Sequence, residues 1–267
     1  MLVIAGEHRC WRWEVPAGLE EVGHGDHPVI ALHGWFGSGA AWRPLQPYLD
    51  GARFRYVFPD YRGYGSRIAE PGSHTLEEAA GDVLALADEF GFDRFSLVGH
   101  SMGGAVMQRV LADAPERVRA LVGVSPVPAS GGELDEDGWA LFSGAVTEAG
   151  NRRAIVDFTT GNRLTGVWLD AVVRHSLDTS DPQAFGDYLV AWGKSDFHGE
   201  IQGSELPVKV IVGEHDPALG ESRMRATFEQ WYPSCEIEVL RNAGHYAIDE
   251  TPIALATSIE TFLAGVE

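Results

Sequence analysis

A serine between two glycines lies where a predicted strand ends and a predicted helix begins. Residues 99–103 read Gly-His-Ser-Met-Gly and follow the mainly apolar run at 95–98. The pattern G-x-S-x-G in a strand, turn and helix context is typical of a nucleophile elbow, a sharp turn that exposes the serine hydroxyl. We therefore interpret Ser101 as the nucleophile of an acyl-transfer reaction.

A carboxylate and a histidine follow this serine along the chain. A serine hydroxyl is a weak nucleophile at neutral pH, so it needs a histidine base and an acid that orients the histidine. Asp216 comes just after the apolar run 208–213, and His245 follows the run 235–240. Ligands bind at the carboxyl edge of a parallel sheet, where both residues would lie. We predict that Asp216 orients His245, with Glu214 as a rival for the acid role.

The elements that would hold these residues alternate between strand and helix. Apolar runs predict six buried strands, at 28–34, 54–60, 95–98, 118–124, 208–213 and 235–240. Helical spacing predicts helices at 42–49 (short and broken by prolines), at 75–90, from the elbow to near Pro115, before Tyr232 and at 252–264. The N-terminal stretch alternates like two antiparallel strands, of which 10–15 is the clearer. We expect an α/β fold with a mostly parallel eight-stranded sheet and helices on both faces.

The alternation stops between residues 129 and 206. This stretch contains helical patterns but no convincing strand, and the patterns lie at 135–148, 151–160, 167–177 and 182–192. We interpret it as a helical cap, or lid, inserted into the sheet domain. The predicted domains are a core of residues 1–128 and 207–267 and a cap of residues 129–206.

Composition argues against several classes of partner. The chain has 39 acidic and 20 basic residues, and its formal net charge of −19 opposes binding to nucleic acid or to an anionic membrane. Cys10 and Cys235 form no motif, which favours a reducing compartment. The N-terminal residues do not resemble a signal peptide, and no apolar run is long enough to span a bilayer. We expect a soluble, cytoplasmic protein that is a monomer or a homodimer.

Five motifs, in this order along the chain, resemble those of the α/β-hydrolase superfamily. They are His33-Gly34-Trp35, residues 60–66 (Asp-Tyr-Arg-Gly-Tyr-Gly-Ser), residues 99–104 (Gly-His-Ser-Met-Gly-Gly), Asp216 and Gly244-His245. The similarity is to the capped branch of that superfamily, which includes carboxylesterases, enol-lactonases, carbon-carbon bond hydrolases, haloalkane dehalogenases and epoxide hydrolases. The last two carry aspartate at the elbow, so Ser101 separates this chain from them.

The resemblance implies a site that needs no cofactor. It implies an oxyanion hole made by the backbone N–H groups of Trp35 and Met102, which would face the negative charge that develops on the attacked carbonyl. A metal site built from His215, Asp216 and His245 is disfavoured, because no paired ligand spacing accompanies these residues.

Several aromatic residues are candidates for the wall of a substrate pocket. These candidates are Phe36, Trp139, Phe142, Phe158, Trp168 and Trp192. The alternative for each residue of the cap is that it packs the cap helices together.

The function that these features favour is hydrolysis of a small or medium, largely apolar carboxylic ester or lactone through an acyl-enzyme on Ser101. One alternative is a carbon-carbon bond hydrolase of a vinylogous diketone, which would bind its acidic substrate through cap arginines such as Arg152, Arg153, Arg163 and Arg174. A cofactor-free perhydrolase and a non-catalytic ligand receptor on the same scaffold also stay open.

Overall fold

Seven strands form one sheet in residues 19–266, the part of the chain that this computed structural model describes. The strands are β1 (Glu20–Gly23), β2 (His27–Leu32), β3 (Phe54–Phe58), β4 (Phe95–His100), β5 (Val118–Val124), β6 (Val208–Gly213) and β7 (Cys235–Leu240). Their order across the sheet is β1-β3-β2-β4-β5-β6-β7, and every neighbouring pair is parallel except β1 with β3. The α/β fold with a mostly parallel sheet is therefore confirmed.

The number of strands differs from the expected eight within the described residues. The predicted strand at 10–15 lies outside them. Strand β1 was not predicted as a separate element, because its residues Glu-Glu-Val-Gly are polar and only half-buried at the sheet edge. Strands occur at all six predicted places. Strands β2 to β6 are mostly buried, as expected of apolar strands covered on both faces, whereas β7 at the sheet edge is only partly buried.

Helices cover the sheet on both faces. They are α1 (Leu76–Glu89), α2 (Met102–Asp113), α3 (Glu136–Gly144), α4 (Ala149–Thr159), α5 (Gly166–Thr179), α6 (Pro182–Gly193), α7 (His198–Ile201), α8 (Glu221–Ala226), α9 (Phe228–Trp231), α10 (Ala247–Glu250) and α11 (Pro252–Leu263). Alternate residues of β2 belong to two apolar clusters: Ile30 and Leu32 to one, Val29 and Ala31 to the other. The sheet is therefore packed on both faces.

Helix α1 begins just after Thr75, the first residue of the predicted helix. The Thr75 hydroxyl accepts a hydrogen bond from the backbone N–H of Glu78 at 3.2 Å. The Glu78 carboxylate accepts hydrogen bonds from the backbone N–H groups of Ser73 and His74, and not from the N–H of Thr75. The Thr75 side chain thus caps the helix, while the Glu78 side chain stabilises the loop before it.

Two predicted helices are shorter than expected. The segment 42–49 contains two turns of 3₁₀-helix, Gly39–Trp42 and Gln46–Tyr48, because its prolines prevent a continuous helix. The segment before Tyr232 is divided between α8 and α9 by Thr227, whose backbone is not helical.

A helical segment of five helices, α3 to α7, connects β5 to β6. The four predicted helices of this stretch are all present with ends shifted by a few residues, and α7 was not predicted. The division into a core domain and a cap domain stays a prediction. Across residues 19–266, the helices are too short or too polar for any of them to cross a membrane.

Candidate active site

Ser101 lies at the tip of the turn between β4 and α2, with backbone angles φ 53° and ψ −117°. Residues other than glycine rarely adopt a positive φ, and such a conformation costs on the order of 1–3 kcal/mol. Three backbone hydrogen bonds hold it. The Ser101 N–H donates to the Val124 carbonyl at 3.0 Å, and the Ser101 carbonyl accepts from the N–H groups of Gly104 and Val127, both at 2.8 Å. The turn is therefore fixed from the neighbouring strand β5 as well as from its own helix.

Two glycines make this turn possible. A Cβ atom on Gly99 would lie 2.4 Å from the Gly103 carbonyl oxygen, and one on Gly103 would lie 2.4 Å from the Leu32 carbonyl oxygen. Both distances are shorter than any real carbon–oxygen contact. The elbow glycines therefore pack closely against neighbouring backbone, which brings helix α2 against the end of β2.

Asp216 and His245 meet at the carboxyl ends of β6 and β7. The His245 Nδ1–H donates to Asp216 Oδ2 at 2.8 Å. The other carboxylate oxygen accepts from the N–H groups of Ala218 and Leu219, each at 3.0 Å. Burial alone would raise the pKa of Asp216, but the charge and hydrogen bond of His245 and these two N–H groups outweigh it and lower that pKa below its usual value.

Glu214 takes a different position. Its carboxylate accepts from the backbone N–H of Asn242 at 3.2 Å and lies 3.7 Å from His215 Nε2, and its side chain is half-exposed. The structure brings Asp216 and not Glu214 to the ring of His245.

Ser101 and His245 line one cavity of about 70 Å³. The described residues include no hydrogen bond between the Ser101 hydroxyl and the His245 ring, a contact that in many enzymes without substrate is long and shortens when substrate binds. An adjoining cavity of about 30 Å³ also contacts both residues. A larger cavity of about 350 Å³ lies beside α1 and contacts neither of them.

The backbone N–H groups of Trp35 and Met102 are available near the serine. Met102 is the first residue of α2, where an N–H has no acceptor within its own helix. Trp35 lines both cavities that contain Ser101. Its carbonyl accepts from the Tyr64 hydroxyl at 3.0 Å, and its indole N–H donates to the Phe185 carbonyl at 2.7 Å. These bonds fix the orientation of the loop that would supply the first half of an oxyanion hole.

The predicted aromatic residues divide into two groups. The cavity wall includes Phe36, Phe142 and Trp192 together with Trp35. Three other candidates, Trp139, Phe158 and Trp168, do not line this cavity. Trp139 packs against Gly193 and Lys194, Phe158 is half-exposed on α4, and Trp168 packs edge-on against Tyr246. The Met102 side chain does not line the cavity either; it is fully buried in the core.

Other wall residues were not predicted from the sequence. They are Val127, Gly132, Leu134, Ile155, Thr159, Ala218, Leu219 and Tyr246. Some had a signal, because Tyr246 directly follows His245, and Ala218 and Leu219 directly follow the Asp216 turn. Gly132, Leu134, Ile155 and Thr159 belong to the helical segment, and Val127 comes just before it. Which side of that segment lines the cavity depends on how its helices pack.

Two further histidines near the site, His33 and His100, are buried and uncharged at neutral pH. Burial lowers the pKa of His33 to about 4, and burial together with the neighbouring His245 lowers that of His100 to about 3. The His100 Nε2–H donates to the His245 backbone carbonyl at 2.9 Å. Within residues 19–266, no group of three or more His, Cys, Asp or Glu side chains is arranged to hold a metal ion.

Sequence comparison finds relatives of several activities. The family described as alpha/beta hydrolase fold matches residues 27–151. The dihydrolipoyllysine-residue acetyltransferase component of the acetoin cleaving system of Cupriavidus necator is 30% identical over 233 residues, which are 84% of this chain and 60% of that protein. Epoxide hydrolase 3 of Siraitia grosvenorii is 35% identical over 99 residues, which are 36% of this chain and 31% of that enzyme. The 3-oxoadipate enol-lactonase 2 of Acinetobacter baylyi is 25% identical, and the alignment covers 94% of both chains. The chain thus spans less than two thirds of the length of the first two relatives.

Solved structures share the fold over nearly the whole chain. A bromoperoxidase from Bacillus anthracis superposes with a TM-score of 0.82 at 21% identity, covering 92% of this chain and 94% of that one. An esterase from Exiguobacterium antarcticum also has a TM-score of 0.82, at 17% identity, with coverage of 92% and 95%. Together with the family match over residues 27–151, this shared architecture shows that the chain has the α/β-hydrolase fold.

Proposed function

We propose that this protein is a serine hydrolase that cleaves an uncharged, largely apolar carboxylic ester or lactone through an acyl-enzyme on Ser101. The observation that carries the proposal is the 2.8 Å bond between Asp216 and His245, beside a serine that lies in the same cavity on a strained turn. The esterase and the enol-lactonase among the similar proteins are consistent with it.

The reaction begins with acylation of the serine. His245 removes the hydroxyl proton while Ser101 Oγ attacks the ester carbonyl, and Asp216 stabilises the imidazolium that forms. The N–H groups of Trp35 and Met102 bind the oxyanion of the tetrahedral intermediate. His245 then gives its proton to the leaving alcohol, and the carbon–oxygen bond breaks.

The second half of the reaction releases the acid. A water molecule replaces the alcohol, His245 removes one of its protons, and the resulting hydroxyl attacks the acyl carbon. The intermediate collapses, Ser101 Oγ leaves with the proton from His245, and the free enzyme returns. All atoms of this cycle come from the ester and the water, so no cofactor is required.

The cavity wall favours an uncharged substrate. Apart from the serine and histidine, only Thr159 and Tyr246 carry side-chain oxygens there, and the Thr159 hydroxyl already donates to the Val156 carbonyl. None of the four cap arginines considered for binding an acidic substrate lines the cavity. Arg152 is buried against Ala145, Ser176 and Ser180, while Arg153 pairs with Asp170 and Arg163 with Glu250. The geometry therefore favours ester hydrolysis over carbon-carbon bond hydrolysis of an acidic diketone.

The cavity volume favours a short acyl group. A buried apolar cavity of about 150 Å³ holds one benzene molecule, and the cavity beside Ser101 measures about 70 Å³. We propose that the helical segment of residues 129–206 acts as the cap that limits this space, because it supplies Leu134, Phe142, Ile155, Thr159 and Trp192 to the wall.

A substrate panel tests the proposal. p-Nitrophenyl acetate and butyrate should be hydrolysed with a higher kcat/KM than the octanoate. The p-nitrophenyl half-ester of succinate, which has the same number of acyl carbons as butyrate and a terminal carboxylate, should be a poor substrate. Preference for the succinate half-ester would contradict the proposal of an uncharged substrate. Preference for an acidic vinylogous diketone would favour the carbon-carbon bond hydrolase over the ester hydrolase.

Two variants link the activity to the site. Ser101→Ala and His245→Ala should each abolish turnover of the butyrate ester while circular dichroism and Tm stay close to those of the wild type. Tight binding of a ligand by the wild type with negligible turnover of every ester and lactone would instead identify a receptor on this scaffold.

A further inference from the structure

The loop that carries His245 is held by the helical segment as well as by the sheet. We define the histidine loop as residues 241–246, between β7 and α10. Its His245 N–H donates to the Thr159 carbonyl, the last residue of α4, at 3.1 Å. A Cβ atom on Gly244 would lie 2.7 Å from the Thr160 Cα, so the two backbones are in close contact. The end of α4 therefore lies directly against the loop.

Arg163, in the turn between α4 and α5, contacts the same loop. Its Nη2 donates to the Asn242 carbonyl at 3.0 Å, and its Nη1 donates to Glu250 Oε2 at 2.9 Å. Asn242 has φ 61°, a left-handed conformation that the bond to Arg163 helps to hold. A side chain from the helical segment thus fixes the point where the histidine loop leaves β7.

Glu250 transmits this contact to both neighbours of His245. Its Oε1 accepts from the Gly244 N–H at 2.8 Å and from the Tyr246 N–H at 3.3 Å. The Glu250 side chain is only 3% exposed, and Arg163 is the basic side chain that pairs with it in the described residues. A buried carboxylate that loses its cation is strongly destabilised where it lies. Removing Arg163 should therefore disturb the bonds to both backbone groups that flank the histidine.

We propose that Arg163 is a positioning residue for His245, acting through Glu250 and Asn242 to fix the backbone before and after the histidine. The turn between α4 and α5 is on this account part of the catalytic apparatus and does not open as a flap. The proposal rests on the proposed function only for the role of His245; the contacts that carry it are independent of the reaction.

The experiment compares Arg163→Gln with Arg153→Gln. Arg153 lies on the same segment and also pairs with a carboxylate, that of Asp170. Both of these side chains are about half-exposed, and neither forms a hydrogen bond or ion pair with the histidine loop. For p-nitrophenyl butyrate, we expect Arg163→Gln to lower kcat about 10- to 100-fold, because a displacement near 1 Å in a catalytic group can cost about 10² in rate. KM should change by less than about twofold, since Arg163 does not line the cavity. Arg153→Gln should match the wild type.

Amide hydrogen exchange supplies a readout that does not depend on turnover. Peptides covering the histidine loop should exchange faster in Arg163→Gln than in the wild type, while those of β4 and β5 are unchanged. Arg163→Lys keeps a cation for Glu250 but cannot reach it and the Asn242 carbonyl together, so it should retain more kcat than Arg163→Gln. Added guanidinium at millimolar concentration should raise kcat of Arg163→Ala and leave that of Arg153→Ala unchanged.

The outcomes separate this proposal from the proposed function. If Arg163→Gln keeps wild-type kcat and wild-type exchange in the histidine loop, the positioning role is wrong. If Arg163→Gln does not fold, Arg163→Lys decides: wild-type kcat and exchange in that variant overturn the role, and a lower kcat with faster loop exchange supports it. Should the wild type hydrolyse no ester, or should His245→Ala remain fully active, the proposed function fails while hydrogen exchange still tests Arg163.

Discussion

Ser101 and Asp216 are both held largely by backbone groups. The serine is held in its strained conformation by three peptide hydrogen bonds, and the carboxylate is fixed by two peptide N–H groups in addition to the histidine. Backbone donors lose no side-chain entropy when they form these bonds. Ser101 and Asp216 are therefore oriented before any substrate binds, which is what the proposed reaction requires of them.

The acid can be tested by a matched pair of amide substitutions. Asp216→Asn removes the negative charge that stabilises the imidazolium, so we expect kcat for p-nitrophenyl butyrate to fall by about 10²–10⁴. Glu214→Gln removes a carboxylate only two residues away that does not contact His245, and it should leave kcat within about twofold of the wild type. The reverse result would show that Glu214 is the acid.

At this scale the sequence predicts candidate reactive groups but not their surroundings. Ser101, Asp216 and His245 are candidates because each follows a predicted strand at a recognisable motif. The choice between Asp216 and Glu214 needed the structure, since both lie on the same turn. Trp168 could not be placed from its type, because an aromatic ring packs equally well against Tyr246 and against substrate.

The elbow at Ser101 requires helix α2 and strand β2 to approach each other closely. Helix α2 lies so near β2 that Gly103→Ala would bring a methyl group within 2.4 Å of the Leu32 carbonyl. We expect this variant to lower the free energy of unfolding by about 1–3 kcal/mol and to lose most activity, because the turn at Ser101 must move. Urea unfolding and ester turnover measure the two effects.

Gly81 gives the control for that substitution. It is an exposed glycine inside α1, and a Cβ atom there would meet nothing within 4 Å. Gly81→Ala should raise the free energy of unfolding by about 0.4–1 kcal/mol through helix propensity and a less flexible unfolded chain. Equal destabilisation by the two substitutions would mean that contact between α2 and β2 is not what requires glycine.

Elements with strong patterns could be predicted, and those set by tertiary contact could not. Strands β2 to β6 follow from mainly apolar runs, β7 from apolar residues that alternate with glutamates, and helix α1 from regular helical spacing. Helix α7 has only four residues, too few for a periodic pattern. The wall face of the helical segment likewise depends on packing, which places Ile155 and Thr159 at the cavity and leaves Phe158 half-exposed.

At the scale of the whole molecule, three buried histidines of residues 19–266 resist protonation. Burial lowers the pKa of His27 and His33 to about 4 and that of His100 to about 3. In the unfolded chain each binds a proton below a pKa of about 6.5, so unfolding takes up protons between pH 6.5 and 4. Stability is therefore full above pH 6.5 and falls as the pH decreases, by up to about 1.4 kcal/mol per pH unit for each histidine.

Three carboxylates oppose this trend in the described residues, because burial raises the pKa of Asp249, Glu250 and Glu260. Burial raises the pKa of Asp249 to about 6, so the folded protein binds that proton before the unfolded chain does. Between pH 6 and 4, unfolding lets His27, His33 and His100 each take up about one proton, and Asp249 releases about one. The net uptake from these four groups should therefore be near two protons.

His27 is the histidine with which to test the pH dependence, because it bonds Ser96 and does not contact the site. We expect His27→Gln to remove about one proton from the uptake on unfolding. Urea unfolding of the wild type and the variant at pH 7 and pH 5 would measure it. Equal loss of stability in both proteins between these pH values would contradict the assignment.

The central claim, that Ser101 is a nucleophile activated by His245, is tested most directly by covalent labelling. A fluorophosphonate forms a stable bond with an activated serine and stops at the stage that mimics the tetrahedral intermediate. We predict one adduct per chain, found by peptide mass spectrometry on Ser101, formed at least about 10² times more slowly in His245→Ala. An adduct on another residue, or labelling of Ser101 at the same rate without His245, would contradict the account.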